Sequence, residues 1–400
     1  GTGVGRVTLE GLPVAVGNWA INPETGNAVR SKARATVKEI EMCARCHSRR
    51  SPISKNYKHG DRLTDHYRPR LLDEAMYFAD GQIRDEAYVY GSFLQSKMYQ
   101  AGVTCSDCHE PHRAEPKIKG NGICLQCHQA SKYDNPDHHF HKQDQAGSSC
   151  VECHMPPRNY MVVDARHDHS MRIPRPDLSE AMATPNACNT CHTDKDTQWA
   201  ASHFKKWYPK PADGHRLYSE QLATSRSGSD NSGDLLASLV RAPAAPAIIR
   251  ATALSSITPY LGRKSIDTLQ TGVASDDPLM RMAAIDVLQE LPAATSAPLA
   301  FHLLSDPVRA VRIDAALALA AIAPGQLSDE QSNILNKAMQ EYIDSQQAMA
   351  ERPEAQTNLG YVYASLGDFT RADAAYNKAI KLNPSFVPAY LNYADFKRSA

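Results

Sequence analysis

The chain has 400 residues, with 44 Lys and Arg balancing 44 Asp and Glu, so its formal net charge is zero with His neutral. That length exceeds one compact core and predicts two or three domains. The balance excludes a basic stripe for nucleic acid and an acidic solvating tail, and no run of about 18 apolar residues predicts a transmembrane segment.

Residues 1–40 read as a weakly defined N-terminal extension, with Gly-rich turns and short alternating runs at 7–9 and 14–16, and no site is assigned there. The sequence opens at Gly1 without Met or a signal peptide, which is expected of a processed or truncated chain whose export signal has been removed. From 41 to 205 it is dense in Cys, His, Pro and Asp. Few periodic apolar stretches occur there, so an ordinary core cannot fill that segment.

All ten cysteines belong to five Cys-x-x-Cys-His motifs. They are Cys43, Cys46 and His47; Cys105, Cys108 and His109; Cys124, Cys127 and His128; Cys150, Cys153 and His154; and Cys188, Cys191 and His192. Two cysteines three apart reach the two vinyl groups of one porphyrin, and the adjoining His presents an imidazole to its iron. Five such motifs with no cysteine left over point to five covalently attached haems c. Structural zinc needs four ligands per ion and no His after each second Cys, and a thioredoxin-like motif occurs once, in a βαβ setting.

Each iron has a second axial position, and eleven of the 16 histidines lie outside the motifs. The candidates for it are His59, His66, His112, His139, His141 and His169. His112 is too close to its own motif to serve it easily and is expected to serve a neighbouring haem. The cluster His138-His139-Phe140-His141 should supply at most two ligands. In Arg166-His167-Asp168-His169, His169 is favoured, with Asp168 as a polar orienting neighbour. Met42, Met98, Met155, Met161 and Met171 are rivals in range, better suited to packing against porphyrin edges. His203, His215 and His302 read as ordinary surface or capping histidines. Bis-His ligation would close the iron to substrate and lower its potential relative to His/Met. Because the last four motifs start within 84 residues, their haems should be close together, with polypeptide wrapped around them. Haem propionates would make this half more acidic than its sequence, favouring cationic partners.

Residues 206–234 read as a linker, with the Ser/Gly-rich run ATSRSGSDNSGD at 223–234. Over 235–325, Arg250, Arg281 and Arg312 recur every 31 residues, as do Ala253, Ala284 and Ala315, and then Ile257, Leu288 and Leu319. Asp277-Pro278 and Asp306-Pro307 supply a cap followed by Pro at the first helical position. The period resembles HEAT-like repeats. Over 326–400, Leu359, Gly360, Tyr363, Ala372, Tyr376, Ala379 and Pro384 fit one tetratricopeptide repeat, and a second begins near Val387. A half repeat exposes an apolar face, so a continuation of the chain or a capping partner is expected there.

The segments EMCARCHSRR, DGQIRDEAYVYGSFLQSKMY, GVTCSDCHEPH, HHFHK, CVECHMPPRNYMVVDARHDHSMRIPRPDLS and TPNACNTCH resemble exported multihaem cytochromes related to the cytochrome c554 and pentahaem nitrite reductase group, ending in HEAT-like and tetratricopeptide repeats. The resemblance implies electron transfer in a bacterial envelope or outside the cell through haems stacked in a chain. It also implies further motifs upstream, which this sequence lacks.

The expected fold is mainly α with much irregular structure: a compact multihaem domain wrapped around stacked haems, then an α-solenoid. The expected function is electron carriage rather than catalysis. Partners would be redox donor and acceptor proteins and copies of the same chain, as an oligomer or filament, in the periplasm or outside the cell. The alternative is a reductase for nitrite, hydroxylamine or a sulfur oxyanion with one open haem.

Overall fold

In the computed structural model, residues 18–113, 115–210, 216–262, 265–322 and 325–399 are described. The runs at 7–9 and 14–16, and His215, lie outside them. The chain divides into two compact units, the first comprising Gly1–Arg49, Leu72–Ser232 and Ala244–Pro246, the second Arg50–Leu71, Gly233–Pro243 and Ala247–Ala400. No helix among the described residues is long and apolar enough to cross a membrane.

The first unit is built from short pieces. Its motif helices run over Lys38–His47, Cys105–Cys108, Gly122–Leu125, Cys150–His154 and Ala187–Cys191. One helical turn is enough for the motif, because residues i and i+3 share a helix face. Polar caps start these turns: the Asp107 carboxylate accepts the Thr104 N–H at 2.7 Å, and the Asn186 side chain accepts the Asn189 N–H at 3.0 Å. Three antiparallel hairpins join them. Trp19–Ile21 pairs with Ala28–Arg30, His109–Glu110 with Glu115–Pro116, and Pro157–Tyr160 with Asp164–His167.

Apolar burial in this unit is concentrated at its edges, in Leu72, Tyr77, Ile83, Phe93 and Leu94, and in Leu178, Phe204, Tyr218 and Leu222. Between Leu94 and Leu178, Tyr160 and Pro176 are the buried apolar side chains among the described residues. The Ser/Gly-rich run at 223–234 is folded rather than extended. Arg216–Arg226 is helical, Gly228 turns the chain at φ 73°, and the next helix starts at Ser232. Buried Leu222 anchors the first helix, and the hydroxyls of Ser225 and Ser232 donate to the carbonyls of Leu222 and Thr224.

The second unit begins with a hairpin, Arg50–Pro52 against Tyr67–Pro69, with Ser51 opposite Arg68. Arg68 donates to Asp286 at 2.5 Å and to Asp314 at 2.8 Å, tying the hairpin to helices Pro278–Leu288 and Arg309–Ala318. The arginines at the 31-residue period each reach a preceding carbonyl, Arg281 and Arg312 the one six residues back and Arg250 the one ten back. Arg250 donates to the Val240 carbonyl, Arg281 to that of Ser275 and Arg312 to that of Asp306. Arg281 also pairs with the buried Asp306, and Arg312 with Glu341. The Pro278–Leu288 helix buries Leu279, Met280, Ala284, Ile285, Val287 and Leu288, and Asp277 caps it through the Leu279 N–H at 2.8 Å.

Helices Pro353–Ser365 and Phe369–Leu382 pack face to face, with Val387–Ser399 against them. A Cβ at Gly360 would lie 2.7 Å from the Tyr376 ring, so the close approach of these helices requires glycine there. On the last helix Ala389 and Phe396 are buried, whereas Val387 and Leu391 are about three-fifths exposed, at 61% and 62%.

Candidate functional site

The ten thiols are free, and they bring successive motifs together in sequence order. The Cys43 and Cys105 thiols lie beside one another, as do those of Cys124 and Cys150. Each such pair can hold at most one thiolate, so one member has its pKa raised. Between these contacts Cys108 lies within electrostatic range of Cys127, and Cys153 of Cys188 and Cys191. Motif one therefore adjoins two, two adjoins three, three adjoins four and four adjoins five. Cys46 in the first motif and Cys191 in the last are exposed, whereas the other eight cysteines are partly buried.

Three motif histidines each face a histidine from outside the motifs. His109 and His169 have ring centroids 6.1 Å apart with planes at 25°. His154 and His138 are 6.1 Å apart at 11°, and His192 and His141 are 6.2 Å apart at 33°. These are not stacking distances for five-membered rings. A ligating imidazole nitrogen sits about 2 Å from its metal, so two imidazoles on opposite sides of one iron place their ring centroids roughly 6 Å apart. The three spacings fit that arrangement.

The other ring nitrogen is held from behind in each pair. His154 Nδ1 is hydrogen-bonded to the Arg172 carbonyl at 2.8 Å, His169 Nδ1 to that of His167 at 2.9 Å, and His141 Nδ1 to that of His139 at 2.5 Å. A carbonyl only accepts, so each of these rings carries its proton on Nδ1 and leaves the Nε2 lone pair free for a metal. Burial, the largest cause in each case, holds His109, His138, His154 and His169 below the usual imidazole range, favouring the neutral form that ligation requires.

One tight turn delivers two of these partners. Asn135 caps the helix Pro136–His139, accepting the N–H groups of Asp137 and His138, and Phe140 then takes a left-handed φ of 56°. That reversal sends His138 to the fourth motif and His141 to the fifth. Phe140 stacks on Trp207 with centroids 4.7 Å apart, and the Tyr208 hydroxyl donates to the His138 carbonyl. His139, between them, lies 3.3 Å from the Gln143 side-chain oxygen.

His169 is placed by its neighbours. The buried Asp168 carboxylate accepts from the N–H groups of Ser170 and Ile83 and lies 3.9 Å from Arg172, fixing the loop that carries His169. Arg172 and Arg175 line a small cavity beside Cys153, and the buried Arg172 Nη2 has the Asp168 carboxylate at 3.9 Å but no hydrogen-bond partner. A carboxylate-bearing group next to Cys153 would satisfy that nitrogen.

The remaining candidates lie elsewhere. His59 and His66 belong to the second unit, where His66 is buried 3.0 Å from Asp61 and both rings meet Tyr57 edge-on. His112 is exposed and lies 3.0 Å from Glu110. His203 is bonded to the Trp199 carbonyl within its own helix, and His302 is exposed. Among the described residues no second imidazole makes a ring contact with His47 or His128, and no three His, Cys, Asp or Glu side chains converge as a metal-ion cluster. His138 had no sequence signal of its own, since all three histidines of its cluster look alike until the turn separates them.

Residues 353–386 match the tetratricopeptide repeat family. No curated relative matches the chain. A crystal structure of the outer cell wall cytochrome OcwA aligns at 18% identity, covering 65% of this chain and 66% of that one, with a TM-score of 0.34. The chain thus spans just under two thirds of the length of that protein.

Proposed function

We propose that the first unit is a five-haem electron carrier of the periplasm or cell exterior, and that the second docks its redox partners. The observation that carries this reading is that three Cys-x-x-Cys-His histidines each face a second histidine at the spacing of two imidazoles on one iron. The five cysteine pairs would hold the haems by thioethers, with His47, His109, His128, His154 and His192 as proximal ligands. His169, His138 and His141 would be the distal ligands at the second, fourth and fifth. When bound, haem supplies reversible one-electron chemistry, and an iron with two imidazoles has no position left for substrate.

The chain's own residues order and orient. Contacts between successive motifs support a line of haems in sequence order, and the exposed Cys46 and Cys191 mark its first and last members as the exchange points. The tetratricopeptide match supports a protein-binding role for the second unit, and the 31-residue period supports reading 235–325 as HEAT-like repeats.

A reductase is the second reading. It rests on His47, whose motif is the most isolated of the five in the sequence. EPR of the oxidised protein, with haem counted by intact mass, separates the two. Five haems with low-spin signals throughout support the carrier, while a high-spin haem that binds nitrite or hydroxylamine supports the reductase.

A further inference from the structure

The N-terminal hairpin, which no motif marks, is strapped across the third motif. The Ala28 N–H donates to the Cys127 carbonyl at 2.7 Å, and the Gln129 N–H donates to the Gly26 carbonyl at 2.8 Å. Lys132 Nζ donates to the Glu24 carbonyl at 2.9 Å, and the Tyr133 hydroxyl to that of Thr25 at 2.6 Å. Gly26 makes the approach possible. It sits at φ +71°, and a Cβ there would lie 2.7 Å from the Lys132 side chain.

At the centre of this strap Asn27 Oδ1 lies 2.7 Å from His128 Nδ1. The Asn27 amide nitrogen donates to the Thr25 carbonyl at 3.4 Å, which fixes the amide orientation and turns its oxygen toward the ring. His128 is therefore the donor through Nδ1, with Nε2 left free. His154, His169 and His141 rely on backbone carbonyls for the same task. At His128 the acceptor is a side chain from a distant segment, and its charge can be changed without rebuilding the backbone.

We propose that Asn27 is a positioning residue that fixes the ring of His128 and sets the reduction potential of the haem carried by Cys124 and Cys127. This rests on the haem reading above. A stronger acceptor behind a ligating imidazole makes it a better donor and favours the oxidised metal, and loss of the acceptor does the reverse.

The test is a redox titration, followed by EPR, of the full haem-loaded chain with Asn27→Asp and, separately, Asn27→Leu. The expected result is that Asp lowers one midpoint potential of the five, Leu raises that same one, the other four stay, and both variants keep the wild-type haem count. Shifts of the same sign in both variants, shifts spread over all five haems, or no shift would overturn the inference while leaving the haem reading intact. A wild-type peptide spanning Cys124–His128 that carries no haem mass would instead overturn the haem reading, and this inference with it.

Discussion

The segment between Leu94 and Leu178 and the helix Pro278–Leu288 solve the same problem by opposite means. The helix packs nine of its eleven residues out of solvent, so the chain supplies its own core, and each methylene buried there stabilises by about 0.8 kcal/mol. The longer segment carries three motifs and buries just two apolar side chains, Tyr160 and Pro176, among the described residues. Its order comes from caps, carbonyl contacts to histidine rings, and charged groups such as Asp168 and Arg172. The second unit is thus specified by packing, and the first by groups that converge on places where a cofactor would stand.

The sharpest way to break this contrast is to replace all ten cysteines by Ser. Hydrogen exchange should then show residues 98–175 losing protection while 278–288 and 353–396 keep theirs. Persistent protection across 98–175 would mean that the polypeptide orders that segment without its cofactors.

Next in size is Arg281→Ala, which leaves the buried Asp306 carboxylate without its partner at 2.7 Å. The second unit should lose about 3–5 kcal/mol in denaturant melts, with an unchanged haem spectrum. Leu288→Ala, at a fully buried site, should cost about 2–5 kcal/mol and be equally silent in the spectrum. A spectral change in either variant would couple the repeats to the haems and erase the contrast.

A smaller effect concerns pH. Burial, partly offset by Arg68 and reinforced by the neighbouring Asp286 carboxylate, pushes Asp314 up to about 6. An Asp whose folded pKa exceeds its unfolded value binds more protons when folded, so its contribution makes stability fall as pH rises from about 4 to about 6. Melts of Asp314→Asn should lack that slope, and a slope equal to wild type would place its origin elsewhere.

Legibility followed locality. Each motif histidine is four residues or fewer from both of its cysteines, so a five-residue pattern reveals it, and the period of Arg281 and Arg312 marks equivalent carbonyl contacts, each to the carbonyl six residues back, because a repeat copies its local geometry. The histidines that face three of the motif histidines are a tertiary matter. His169 faces a motif histidine sixty positions away, and His138 and His139 are neighbours on one helical turn that point to different partners. The linker expected over 206–234 was composition without geometry, since it could not show that Leu222 is buried or that serine hydroxyls bond to nearby carbonyls. Asn27 lay outside any pattern, because a strap is defined by what it crosses.

The central claim is that His138, His141 and His169 each share an iron with a motif histidine. Its most direct test is low-temperature EPR of the oxidised, haem-loaded His138→Ala protein beside wild type. One low-spin signal should be replaced by a high-spin signal, with the wild-type haem count retained. A spectrum identical to wild type would contradict it.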